Sequence, residues 1–225
     1  MYMPFNKEEF TRTSTASPAW RKVLHLGMER RFPKGASLPD GLASGCLYFI
    51  AQGEVRMELL SNHGTGKICW YIDAGSILGE APLFHKMPGL LHTVCVRPCV
   101  MYAFTREVFL GEICRQYPDL MEDMFRSLAV KVRVLLNQVS TLALDELPAR
   151  ICKYFRLHME RNADGIFTRP LLSQSELANL LGVHRVTCTR VLLDLKKRGV
   201  IGEFKRDCVR IFDEAELERL AQGIK

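Results

Sequence analysis

Between Met121 and Leu142, apolar side chains fall at Met121, Phe125, Leu128, Val132, Leu135, Val139 and Leu142, at spacings of 4, 3, 4, 3, 4 and 3 residues. A 3.5-residue repeat sustained over three heptads keeps one narrow stripe on one side of a helix, and such a stripe is matched by the same stripe on a second helix. A helix packed only on its own domain normally shows a wider stripe at a 3.6-residue period. The pattern predicts a long helix over 117–144 that pairs with its copy in a homodimer; a buried core helix is the competing reading. Pro118 suits the first helical position, and Asp119 suits the positive end of the helix dipole. Val130, Val134 and Leu136 lie off the seam and predict a second contact, with the preceding domain.

That preceding stretch is β-prone. CLYFIAQGEVRMELL, KICWYIDAGSILGE and HTVCVRPCVMYAFT are short runs punctuated by Gly and Pro between about Arg30 and Arg106, which predicts an antiparallel barrel or roll. SNHGTGK, before Ile68, is expected as a hairpin loop. A short helix is expected earlier, in PAWRKVLHLGM from Pro18 with Ser17 as its cap.

After the long helix, a turn near Asp145 to Pro148 acts as the expected hinge. A second helix is expected from about Asp145 to Arg161, with Ile151, Tyr154, Phe155 and His158 on one face, before NADGIFTRP breaks it. Ser173-Gln-Ser-Glu176 then forms a capping box in front of SQSELANLL. Gly182 can adopt the left-handed conformation that ends such a helix, and Val183 tucks inward. Another helix runs from about His184 to Arg198 and stops at Gly199. Its buried face is Cys188, Val191, Leu192 and Leu195, which turns Arg185, Val186, Thr189 and Arg190 outward.

Helix, Gly-containing turn and helix with polar side chains at its start is a helix-turn-helix pattern. VIGEFKRDCVRIF follows as an expected β-hairpin wing, with Lys205, Arg206 and Arg210 over phosphates. The candidate DNA contacts are Ser173, Gln174, His184, Arg185, Val186, Thr187, Thr189, Arg190, Lys205 and Arg206. Arg185 and Arg190 carry forked donors suited to guanine or phosphate; Ser173 and Thr189 suit phosphate or a local backbone partner. Between Ser173 and Arg210 eight basic residues face four acidic ones, more basic in proportion than the whole chain at +6.

At 225 residues, 48% hydrophobic and 25% charged, the chain has the composition of packed globular domains. No uninterrupted apolar run approaches the ~20 residues of a membrane span. MYMPFNKEEF is too polar for a signal peptide, so the expected location is the cytoplasm, with no membrane partner. None of the eight cysteines forms a C-x-x-C pair, which disfavours zinc ribbons and redox motifs. Cys95 and Cys99 would lie ~13 Å apart on one extended strand, and reduced, buried thiols are expected.

The order of roll, long helix and winged helix-turn-helix resembles the Crp/Fnr family of bacterial transcription regulators over nearly the whole chain. GSILGEAPLF resembles the family's roll signature and LLSQSELANLLGVHRVTCTRVLLDLKKRGVI its recognition motif. The resemblance implies an α+β fold with a cyclic-nucleotide-binding-like jelly roll, a dimerisation helix and a C-terminal winged helix-turn-helix. The expected parts are an effector-sensing roll over 1–116, the dimerisation helix over 117–144 and a DNA-binding domain over 145–225. It further implies a homodimer that binds a small effector, grips palindromic double-stranded DNA and has RNA polymerase as a candidate partner. Val186 stands where many members have Glu, and it offers only apolar contact to a thymine methyl, so an A·T-richer half-site is expected.

Members that bind cyclic nucleotides carry an Arg-Ser or Arg-Thr pair for the phosphate shortly after the Gly-Glu. Here Gly79-Glu80 is followed by Leu90-Leu91-His92-Thr93, without a guanidinium, and this argues against cyclic AMP. The iron-sulfur branch needs N-terminal cysteines, whereas the first here is Cys46. Haem stays open through His25, His63, His85 or His92, and thiol sensing through Cys188 or Cys208. No cofactor is assigned. The expected effector is a small, mostly apolar molecule with an anionic head, contacted by Trp70, Gly79, Glu80, Leu90, Leu91 and Lys131. This is similar to the arrangement in the halorespiration regulators, whose effectors are halogenated aromatics. Neither an H-x-H metal pair nor a nucleophile elbow nor a phosphate loop is present, so no enzyme activity is expected. A roll that binds ligand or metal without contacting DNA is the alternative.

Overall fold

The computed structural model describes residues 17–38, 45–60, 66–85, 91–169 and 172–223. They fall into two compact units, one drawn from residues up to 60 and from 69–135, the other from 66–68 and 136–223. The fold is the expected α+β arrangement of antiparallel roll, long helix and C-terminal helix-turn-helix.

The first unit opens with α1 (Pro18–Leu26), a 3₁₀ helix whose cap Ser17 accepts the Ala19 N–H through its hydroxyl at 3.3 Å. Among the described residues seven strands follow: β1 (Met28–Phe32), β2 (Leu47–Gln52), β3 (Glu54–Leu60), β4 (Gly66–Asp73), β5 (Ile77–Leu78), β6 (His92–Cys95) and β7 (Cys99–Phe104). They form two antiparallel sheets, in the orders β1-β7-β2-β5 and β4-β3-β6. The short helix α2 (Glu80–His85) follows β5. After β7 comes α3, made of Arg106–Val108, a π turn over Phe109–Ile113 and Cys114–Gln116.

β2 explains why the roll reads as an apolar run rather than an alternation. Leu47 and Phe49 join a cluster with Trp20, Phe104, Phe109, Leu120 and Met124, while Tyr48 and Ile50 join another with Val55, Trp70, Met101 and Val134. Both faces of the strand are therefore buried, and each such side chain contributes about 1.5–3 kcal/mol.

The expected separation of Cys95 and Cys99 is not found. Val96, Arg97 and Pro98 turn the chain, so that Cys95 ends β6 in one sheet and Cys99 begins β7 in the other. Both thiols enter one buried cluster, and burial together with the adjacent Cys99 pushes the Cys95 thiol up to about 12.

The long helix, α4 (Pro118–Leu144), carries two stripes. Leu120, Met124, Ser127, Lys131 and Val134 are buried, and Val130 packs beside Val134 on the roll's core. One residue further on, most of the heptad seam is open: Phe125 is 65% exposed, Val132 54% and Val139 61%, whereas Met121 and Leu128 are half-buried, Met121 against the Trp20 cluster. Leu136, expected to pack inward, is 64% exposed, because it falls beside the seam and opposite the buried stripe. By length and composition alone α4 is apolar enough to cross a membrane, at a mean hydropathy of 1.2; that composition is the sum of its two apolar stripes.

In the second unit, α5 (Leu147–Leu157) ends earlier than expected. Met159–Asn162 forms β8, which returns through Asp164-Gly165 as β9 (Gly165–Thr168). β10 (Val209–Ile211) adds to β9, giving the order β10-β9-β8. The wing is correspondingly less regular than a hairpin. Its first arm is joined to the second by the bridge Ile201↔Ile211, with bonds from the Gly202 N–H to the Arg210 carbonyl at 2.7 Å and from the Phe212 and Asp213 N–H groups to the Val200 carbonyl at 3.0 and 3.3 Å. The remaining helices are α6 (Gln174–Leu181), α7 (Arg185–Lys197) and α8 (Glu214–Ala221).

Candidate nucleic-acid interface and ligand site

The turn between α6 and α7 is built from local signals. Ser173 accepts the Glu176 N–H at 3.2 Å, and the Glu176 carboxylate accepts the Ser173 N–H at 2.8 Å, completing the capping box. Gly182 ends α6 at φ 66°, in the left-handed region open to glycine, and the half-buried Val183 donates its N–H to the Ala178 carbonyl at 3.0 Å. His184 caps α7 by accepting the Val186 N–H at its Nδ1, 3.3 Å away.

Cys188, Leu192 and Leu195 bury one face of α7, and Val191 is half-buried beside them. The outward face carries His184, Arg185, Val186, Thr187 and Arg190, all exposed. Thr189 is drawn off that face. It is half-buried, and its hydroxyl donates to Gln174 Oε1 at 2.9 Å, tying α7 to the start of α6. Both residues were expected at DNA, and the structure engages each with the other. Lys205 and Arg206 are exposed at the wing tip. Arg210 lies elsewhere: its guanidinium stacks between Phe167 and Phe212, 5.8 and 5.6 Å from the ring centres, and donates to the Asp164 carbonyl at 3.2 Å. Cation–π contact and strand pairing with Phe167 hold it over the β9 face instead of a phosphate.

In the first unit, the expected ligand residues separate into two roles. Glu80 and Lys131 form a buried ion pair, and Lys131 also donates to the Ile77 carbonyl at 3.0 Å. The Ser127 hydroxyl donates to Glu80 at 3.1 Å. Lys131 is thus not a solvated residue flanking the seam; it sits on the inner stripe with Glu80 as its counterion. Sequence reading does not single out Ser127, although its place four residues before Lys131 on that stripe is the signal that finds it. Gly79 serves packing: at φ 97° a Cβ there would come within 2.5 Å of the Cys46 carbonyl oxygen.

Trp70 and Leu91 belong with Val130 and Val134 to one apolar cluster, and Leu90 lies outside the described residues. Thr93 pairs across the sheet with Met57, a member of that cluster, and so points to the same side. The Trp70 indole N–H and the Thr93 hydroxyl are both buried without a hydrogen-bond partner among the described residues. A buried orphan donor costs about 1–3 kcal/mol, so the interior favours a ligand that brings acceptors.

His92 faces Glu58, with Nδ1 3.4 Å from its carboxylate, His25 and His85 are exposed, and His63 lies outside the described residues. Among the described residues no three His, Cys, Asp or Glu side chains converge as a metal site. Cys188 is buried and its thiol is pushed up to about 11 by burial, which disfavours the reactive thiolate. Cys208 is half-buried.

A cyclic nucleotide-binding domain model matches residues 29–116 and a Crp-like helix-turn-helix domain model matches residues 149–220. The cyclic AMP receptor protein of Thermus thermophilus is 27% identical over 203 residues, covering 90% of this chain and 92% of its own length. The structure of CprK complexed with OCPA matches with a TM-score of 0.76 at 21% identity, covering 94% of this chain and 99% of that one. A structure of oxidised CprK in complex with o-chlorophenolacetic acid matches with a TM-score of 0.51 at 22% identity, covering 92% and 88%.

Proposed function

The chain belongs to the Crp/Fnr family of bacterial transcription regulators, and from that premise we propose that it is a cytoplasmic homodimer that binds a two-fold-symmetric promoter site under the control of a small aromatic or organic acid. In this reading 1–116 senses the acid, 117–144 dimerises and 145–225 binds DNA, with RNA polymerase as a further partner. The observation that carries the DNA-binding half is the outward face of α7, where Arg185, Val186, Thr187 and Arg190 stand exposed at the start of a helix capped for entry into the major groove. Arg185 and Arg190 read guanine or grip phosphate, Val186 contacts a thymine methyl, and Lys205 and Arg206 supply phosphate contacts from the wing.

The ligand class follows from the roll interior. Trp70, Leu91, Val130 and Val134 share one apolar cluster that would wall the ligand, and Lys131 is a buried cation that an acid can claim from Glu80. The OCPA and o-chlorophenolacetic acid complexes of CprK support an aromatic acid. Cyclic AMP, named for the Thermus relative, would need a cation for its phosphate, and the residue before Thr93 is His92, which faces Glu58. Moving Lys131 shifts α4, the helix on which both the sensing core and the exposed seam are built.

Selection from a randomised duplex pool, with and without a panel of aromatic acids, tests the proposal. The expected product is a palindrome with half-sites about one helical turn apart, A·T-rich opposite Val186. No enriched palindrome under any condition rejects it.

A further inference from the structure

The first helix of the helix-turn-helix, α6, ends in an unusual way. Of its last four carbonyls, those of Ala178 and Asn179 accept from the Gly182 N–H, and Ala178 also accepts from Val183, as the left-handed turn requires. The other two are taken by cations from distant parts of the chain. The Leu180 carbonyl accepts from Lys67 Nζ at 2.6 Å, and the Leu181 carbonyl accepts from Arg150 Nη1 at 2.6 Å. Cations are favoured at this negative end of the helix dipole, and charge-assisted bonds of this length are among the stronger ones.

Lys67 does more than cap. Its ammonium also donates to Gln138 Oε1 on α4 at 2.9 Å and to the Ile68 carbonyl at 2.7 Å. Its stem lies against the turn itself, since a Cβ on Gly182 would come within 3.1 Å of Lys67 Cδ. At the opposite end of α6, Gln174 accepts from Thr189 on α7. The short helix is therefore held to Lys67 and α4 at its C-terminus and to α7 at its N-terminus.

We propose that Lys67 is a positioning residue for DNA recognition, its ammonium fixing α6 against α4 and thereby setting the attitude of α7. The proposal rests on the DNA-binding reading above. It assigns to the start of β4 a part that does not touch DNA: the lysine contributes preorganisation of the helix pair, and no phosphate contact.

The test uses the full chain and the duplex that the wild-type protein selects. Lys67→Met is expected to weaken binding to that duplex about tenfold, the scale of one charge-assisted bond, while binding to a scrambled duplex stays unchanged. The salt dependence also stays unchanged, because no phosphate contact is removed. Hydrogen exchange of the α6 amides becomes faster, and Lys67→Arg, which keeps a cation, restores most of the affinity. Should Lys67→Met lose its far-ultraviolet helix signal, Lys67→Gln replaces it, with the same duplex selectivity read. Equal or tighter binding of the selected duplex overturns the proposal, as does an equal loss on both duplexes. A wild-type chain that selects no duplex removes the DNA-binding reading and this proposal together; selection by the wild type with no loss in Lys67→Met removes this proposal alone.

Discussion

At the scale of single residues, the Glu80–Lys131 pair shows how little a residue type reveals about its state. Lys131 follows Val130 and precedes Val132 beside the seam, where the sequence offers it as the cation for an effector, yet it is buried on Glu80, because the inner stripe of α4 passes through 127, 131 and 134. Removing one partner strands the other charge. Lys131→Met is expected to destabilise the roll by about 3–5 kcal/mol, and Lys131→Met/Glu80→Leu to recover most of that loss. Urea unfolding of the four members of the cycle measures it. A double variant as unstable as the sum of the two single ones would show that the pair is not coupled. The thiols make the same point: Cys95 and Cys99 meet because a three-residue turn carries the chain from one sheet to the other, a change of direction that a four-residue spacing does not specify.

At the scale of elements, α6 and its turn were legible because every signal is local: Ser173, Glu176 and Gly182 satisfy backbone groups within four residues of themselves. Ser173→Ala removes one acceptor and loosens the other half of the box, with an expected cost of about 1 kcal/mol to the second unit, read as a lowered urea midpoint with unchanged slope. The end of α5 was not legible in this way. Met159–Asn162 contains no helix breaker, and what makes it a strand is pairing with Gly165–Thr168, itself fixed by β10 more than forty residues downstream. The wing was read as regular for the converse reason. Its two β-prone arms are real, but the second arm pairs as a strand with β9 and meets the first only over residues 200–202.

At the scale of the whole molecule, the exposed seam of α4 is the largest debt left by the single chain. Phe125, Val132, Leu135, Val139 and Leu142 stand open along one side of the helix, a contiguous stripe of the kind that a second copy covers. Val132→Glu/Val139→Glu is expected to convert a dimer to a monomer, measured by sedimentation, because it buries four like charges across a two-fold seam. The monomer holds one half-site, so its affinity for the selected palindrome falls by about 10² or more as the linked second contact is lost. A variant that stays dimeric would place the interface elsewhere.

The order of the parts, the period of the long helix, the capping box and the left-handed turn follow from the sequence alone, since each depends on residue identity and on spacing within a turn or two of helix. The tertiary structure alone decided which stripe of α4 is inside, which cation caps α6, and that Arg210 stacks on aromatic rings while Thr189 bonds Gln174. Each of those outcomes depends on a partner beyond the reach of local sequence, from 15 residues away for Thr189 and Gln174 to 113 for Lys67 and Leu180, and the energy that selects among them, burial and the pairing of polar and charged groups, exists only once the chain has brought the partners together.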